Sequence, residues 1–203
     1  MSVTAKSSYH HGDLRATLIS TAMGMFERGE PFSMRAVARE AGVSATAPYR
    51  HFADRDALES ALAAQGLRDL KTDLMRDRAM PRTVDELADL GVAYVEFALR
   101  RPTLFRLMFG NECDHELEER VRAAAEVHEL LASAITGVFP DSDPLDMALG
   151  GWGLVHGLAC LYLDRKLTSP SIEQVARQVR ASVVAVLDGR SNQGRSTGSK
   201  RLR

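Results

Sequence analysis

SMRAVAREAGVSATAPYRHFADRD, residues 33–56, decides how this chain is read. Ser33 has the short oxygen-bearing side chain that caps a helix start. Val37, Ala38 and Ala41 then share one face at helical spacing. Gly42 stops that helix, because the residue just past a helix end often needs a positive φ that glycine adopts freely. Val43 fills the corner, and Ser44 is placed to cap a second short helix bearing Tyr49, Arg50, His51 and Phe52. Ala38, four residues before Gly42, lets the two backbones approach closely at a steep angle. That pattern predicts a helix-turn-helix over residues 33–52, an arrangement whose second helix enters a DNA major groove. Pro48 falls in the first turn of that second helix. It forfeits one N–H and is expected to push Ala47 off helical angles, leaving a short, irregular recognition helix.

Outward from this segment the chain reads as helix throughout. Leu14, Leu18, Ala22, Met25 and Phe26 mark a first helix over about residues 13–28. Leu58, Leu62, Leu70 and Leu74 stripe a long helix beginning at Asp54 or Arg55. Further helices are predicted over 83–101, 102–110, 114–138, 145–166 and 172–187, punctuated by Pro81, Pro102 and the PDSDP loop at 140–144. No segment alternates as a half-buried strand does. The expected fold is therefore all-α with about nine helices: an N-terminal three-helix bundle and a larger C-terminal bundle. The expected divisions are a mobile arm at 1–9, a helix-turn-helix domain at 10–56, a C-terminal helical domain at 57–188, and a disordered basic tail at 189–203.

Charge is distributed unevenly. Residues 1–56 carry net +1, residues 57–189 net −7, and residues 190–203 net +5. The acidic charge thus lies away from the predicted DNA face, where affinity must rest on a few placed arginines and on dimerisation. Two cysteines, Cys113 and Cys160, are too few for a disulfide framework and suit a reducing cytoplasm. No apolar run resembles a signal peptide or reaches the eighteen residues of a membrane span.

The run AVAREAGVSATAPYRHFADRDAL resembles the DNA-binding domain of TetR-type transcriptional regulators. Ala38, Ala41, Gly42, Val43, Ser44, Tyr49, His51, Phe52, Asp54, Arg55 and Asp56 match, with Leu14, Ile19, Ala22, Phe26 and Gly29 upstream. The resemblance spans about residues 10–70. Thr46 stands where the family often has Gly, and Arg55 where it often has Lys. GGWGLVHGLACLYLD, residues 150–164, is similar to the Trp-His-Gly signature of one subgroup of the family's ligand-binding domains, through Trp152, His156 and Gly157.

Site residues follow from both readings. Ala45, Thr46, Ala47 and Arg50 are candidates to face bases: a thymine methyl suits alanine or threonine, and a guanine suits arginine, which can also meet phosphate. Ser33, Arg35 and Arg55 sit at helix starts and are candidates for phosphate. Ser44 and His51 join them. Tyr49 is expected to pack its ring inward and aim its hydroxyl at a phosphate, with Phe52 in the core. Tyr9, His10 and His11 either reach DNA from the arm or are disordered.

Phe105, Met108, Phe109, His128, Trp152, His156 and Cys160 are candidates for a small-molecule pocket, which in helical bundles is apolar with few polar anchors. Gly150, Gly151, Gly153 and Gly157 weaken their helix, and close helix–helix approach is the expected compensation. The resemblance implies that the last two helices pair with a second subunit; the stripe Val175, Val179, Val183, Val186 and Leu187, with Gly153 and Gly157, suits such an interface, and packing of the same stripe within the chain is the alternative. It also implies a homodimer on a palindromic double-stranded operator, a largely apolar effector, no cofactor and no membrane. A metal site from His156, Cys160 and Cys113 has only an i, i+4 spacing in its favour. The alternatives are a thiol or metal-dependent hydrolase using Cys160 and His156, and a DNA-binding protein without an effector.

Overall fold

Helix α1 (Leu14–Glu27) ends where Gly29 takes φ 68°. The Glu30 N–H then reaches back to the Met25 carbonyl at 3.0 Å. Helix α2 (Met34–Glu40) starts under Ser33, whose Oγ accepts the Ala36 N–H at 3.1 Å. It ends in a reciprocal turn: Gly42, at φ 69°, donates to Arg39, and Val43 donates to Ala38. The computed structural model describes residues 14–110, 118–169 and 171–197.

The next segment is shorter than the predicted helix. Residues 45–47 form a turn, and only Pro48–Arg50 is helical, as a single 3₁₀ turn. Pro48 has no N–H to offer, so the chain closes with Ala47 to Ser44 and Arg50 to Ala47 bonds spanning three residues. Ala47 itself keeps helical angles, φ −60° and ψ −41°, contrary to the expected distortion. The lost proton, not a displaced backbone, is what shortens this element. The Ser44 hydroxyl does not act as the expected cap, lying instead 3.3 Å from that of Thr46.

Helix α3 (Arg55–Met75) begins with Asp54 Oδ1 accepting the Ala57 N–H at 2.8 Å. Its Leu58, Leu62, Leu70 and Leu74 are fully buried, each contributing roughly 1.5–3 kcal/mol by removal from water. The molecule divides into two units at residues 62/63, inside this helix. In the first, Leu18, Ala22, Val37, Ala38, Phe52 and Leu58 form the core, and the Arg15 guanidinium lies over the Phe52 ring at 5.4 Å.

The second unit is organised around helix α4 (Val84–Arg100), started by a capping box in which Thr83 and Glu86 each bond the other's backbone N–H. Helices α5 (Pro102–Gly110), α6 (Glu118–Val138), α7 (Pro144–Leu163) and α8 (Ile172–Thr197) pack on it. Gly91 permits the convergence of α4 with α7 and α8: a Cβ there would stand 3.1 Å from Val155 and 3.2 Å from Val183. The described residues thus form eight α-helices and one 3₁₀ turn, with no strand. Helix α8 runs ten residues past the predicted end at Leu187, so residues 189–197 are helical where a disordered tail was expected. No proline interrupts the stretch, and extending a helix already nucleated costs little. Residues 198–203 and the arm at 1–9 lie outside the described residues.

Candidate nucleic-acid interface and C-terminal cavity

The α2 corner leaves one face of the first unit open. Ser33, Arg35, Ser44, Ala45, Thr46, Tyr49, Arg50, His51 and Arg55 are all exposed. Arg35 and Arg50 have no side-chain partner among the described residues, so their guanidinium donors are available to an anion. Arg55 is held: its Nε donates to Glu59 at 2.7 Å and its guanidinium lies over the Phe32 ring at 5.4 Å. Two expectations change. Ala47 is only 8% exposed and packs inward with Pro48, because the tight turn rolls it off the outer face. Tyr49 is 52% exposed, so its ring is displayed outward rather than packed, and Phe52 alone fills the core beneath. Tyr9, His10 and His11 lie outside the described residues.

In the second unit the sequence-predicted pocket residues gather into an aromatic cluster. The His156 ring stacks on Phe105 at 5.3 Å, meets Phe109 edge-on at 4.8 Å, and lies 5.6 Å from Trp152. His128 meets Trp152 at 5.2 Å. The polar centre is Tyr94, on α4. Its hydroxyl is 3.1 Å from Trp152 Nε1 and 2.8 Å from His156 Nδ1. The indole N–H can only donate, so the Tyr94 oxygen accepts it and the Tyr94 proton goes to Nδ1. That assigns His156 as the neutral tautomer protonated at Nε2. Burial acts the same way, lowering the His156 pKa below its ordinary value and pushing that of Tyr94 well up.

A cavity of about 330 Å³ adjoins this cluster, lined by side chains that include Tyr94, Trp152, Leu90, Leu131, Val155 and Val183. Trp152 is the one predicted pocket residue on its wall. Phe105, Phe109, His128 and His156 are spent on the cluster instead. Met108 lies against α3, its sulfur 2.7 Å from where a Gly66 Cβ would stand. Cys160 does not line the cavity. Its thiol pKa is raised by burial and then by the charge of Asp164, which disfavours the nucleophilic thiolate. Among the described residues no three His, Cys, Asp or Glu side chains are grouped to hold a metal. Cys113 lies outside them.

The predicted dimer stripe divides. Val175, Val179 and Val183 are buried within the chain, the last two against Gly91 of α4, so they serve the subunit's own core. Val186 is 53% exposed and also borders the cavity. Gly153 and Gly157 have nothing within 4 Å of a would-be Cβ, so their expected close helix contact is not made inside the chain.

Family models match both units. Residues 18–62 match the bacterial regulatory proteins of the tetR family, and residues 87–188 match the tetracyclin repressor-like C-terminal domain. The chain belongs to the TetR family. A Rhodococcus sp. RHA1 protein described as of unknown function is 31% identical, with TM-score 0.74 over 88% of this chain and 97% of its own. A TetR-family transcriptional regulator from Pectobacterium atrosepticum is 20% identical, with TM-score 0.62 over 86% of this chain and 92% of its own. Another from Thermus thermophilus is 16% identical, with TM-score 0.58 over 83% of this chain and 97% of its own. At such identities the last two show the fold alone. No curated protein matches the chain.

As a TetR-family member the protein is a DNA-binding transcriptional regulator. The domains point to a regulator rather than an enzyme. Among the described residues no helix is long and apolar enough to cross a membrane.

Proposed function

We propose that this protein is a homodimeric, cytoplasmic repressor, released from a palindromic operator when a largely apolar effector enters the cavity of its C-terminal unit. The observation that carries the reading is the cavity itself. About 330 Å³ of space with mostly aliphatic walls, beside a hydrogen-bonded aromatic cluster, is within the range of small-molecule sites. Helix α3 supplies a route for coupling. It starts at Arg55, in the proposed DNA face, and Leu74 near its end lines the cavity. By linkage, an effector that weakens operator binding is itself bound more weakly by the DNA-bound protein.

Ser33, Arg35, Ser44, Ala45, Thr46, Tyr49, Arg50, His51 and Arg55 form the proposed DNA face. Its exposed Arg35 and Arg50 support this, and Ala47 is withdrawn from it. The membership of the Trp-His-Gly subgroup is supported by Trp152 and His156 meeting on one hydroxyl. Dimerisation is supported by an apolar face on α7: Leu145 is 72% and Leu149 64% exposed, at helical spacing with the uncovered Gly153 and Gly157, and Val186 on α8 is 53% exposed. Exposed apolar residues aligned on one helix face mark an interface.

Selection of bound fragments from random double-stranded DNA tests the first half of this reading. Enrichment of an inverted repeat with half-sites about one helical turn apart supports it. Recovery of no sequence preference, or of a lone half-site, refutes it. Effector release is then read as loss of operator binding on adding a cavity ligand.

A further inference from the structure

We infer that the effector carries a cationic group on an apolar body of about two rings, and that Asp146 at the cavity wall selects for it. This deepens, and rests on, the reading of the cavity as the effector site. Asp146 is the only charged side chain among the described residues lining the cavity. It is exposed on the first turn of α7, and its carboxylate has no basic partner among the described residues. The start of a helix would ordinarily favour an anion. Here the Leu145 and Asp146 N–H groups already donate to Asp143 Oδ1, at 2.9 and 3.3 Å. Among the described residues the charge at the opening is therefore negative. The remaining walls are aliphatic side chains with the Tyr94 and Trp152 rings, and both polar groups of those rings are bonded to each other. A ligand charge placed deeper would lie unpaired in apolar surroundings, which costs several kcal/mol. A carboxylate or phosphate at the wall would face a like charge, whereas an ammonium would meet its counterion. On size, an apolar cavity of about 150 Å³ accepts one benzene ring. The cavity here, at about 330 Å³, has room for a fused pair.

The test is calorimetric titration of the full-length protein, near neutral pH, with three probes sharing one naphthalene body: 1-naphthylmethylamine, 1-methylnaphthalene and 1-naphthylacetate. The amine is expected to bind at least about tenfold more tightly than the acetate, with the hydrocarbon between them. Asp146→Asn is expected to bring amine and acetate within about threefold of each other, whereas Asp146→Glu keeps the preference. Gly151→Leu, which fills a cavity wall where a Cβ meets nothing within 4 Å, weakens all three. Equal binding of amine and acetate by the wild type, a preference for acetate, or a preference unchanged in Asp146→Asn overturns the charge inference and leaves the cavity reading standing. Binding of none of the three, or amine binding untouched by Gly151→Leu, removes the cavity reading and this inference with it.

Discussion

The Tyr94 hydroxyl and the His156 ring are 2.8 Å apart, and this bond ties α4 to α7 at the centre of the C-terminal unit. Tyr94 is almost wholly buried, so its proton needs an acceptor inside the protein, and Nδ1 supplies it. With Trp152 donating to the same oxygen, three side chains share one hydroxyl beside the cavity.

Tyr94→Phe is expected to destabilise the fold by about 1–3 kcal/mol, since it leaves the Trp152 N–H and the His156 nitrogen without their partner while changing little volume. Urea denaturation measures the loss. Adding Trp152→Phe to Tyr94→Phe should cost less than the two separate losses combined, because the second substitution removes a donor already orphaned. Full additivity would show that the hydroxyl does not couple these rings.

His156 makes stability depend on pH. Its folded pKa is lowered from 6.5 by burial, so above that value the ring is neutral in both states and the Tyr94 bond is intact. As pH falls below 6.5 the unfolded chain takes up the proton first, and the contribution is lost toward the folded pKa. His156→Asn retains an acceptor without titrating. Melting temperature measured through this window should fall less steeply in the variant than in the wild type. Parallel curves would mean that another group governs the transition.

Gly42→Ala places a Cβ at φ 69° and should cost about 1–2 kcal/mol. Denaturation of the variant checks this directly. A neutral outcome would mean that the corner relaxes to a different turn.

That corner was readable because a helix followed by a position needing positive φ leaves a local mark, Gly42 after Ala41, that depends on nothing distant. The same holds for the leucine stripe of α3, which acts along one face of one helix. The roles of Val179 and Val183 were not readable in the same way. Helical spacing shows that they are buried but not whether the covering surface belongs to the same chain, and only the approach allowed by Gly91 decides it. All of the cavity wall but Trp152 escaped for the same reason: Leu87, Leu131 and Val183 come together only in three dimensions. Trp152 and His156 drew attention through the Trp-His-Gly signature, yet their meeting point, Tyr94, looks in sequence like any inward aromatic.

On the DNA face, Arg50→Ala should weaken operator binding more than it weakens binding to random sequence if the guanidinium reads a base. Arg55→Ala should weaken both about equally and lower the salt slope by roughly one, since a phosphate contact carries no sequence information. Anisotropy titrations at several salt concentrations separate the two. Arg55 also bonds Glu59 and covers Phe32, so its variant needs a parallel melting curve to show that the fold survives. Unchanged affinity in both variants would remove these arginines from the interface.

The apolar face of α7 offers the last test. Leu149 is exposed and Gly153 is uncovered, so neither supports the isolated subunit. Gly153→Glu and Leu149→Glu should therefore leave helix content and melting nearly unchanged at low protein concentration, where the dimer contributes least. Each carboxylate would be buried beside its symmetry mate in a two-fold interface, so repulsion and desolvation act together. Sedimentation should show monomers for both variants and a dimer for the wild type, with operator affinity lost in step because a monomer can occupy only one half-site. Val179→Glu must behave differently. Val179 is fully buried inside the subunit, so its variant should unfold rather than merely dissociate. If Gly153→Glu and Leu149→Glu sediment as dimers, the exposed face of α7 is not where the subunits meet.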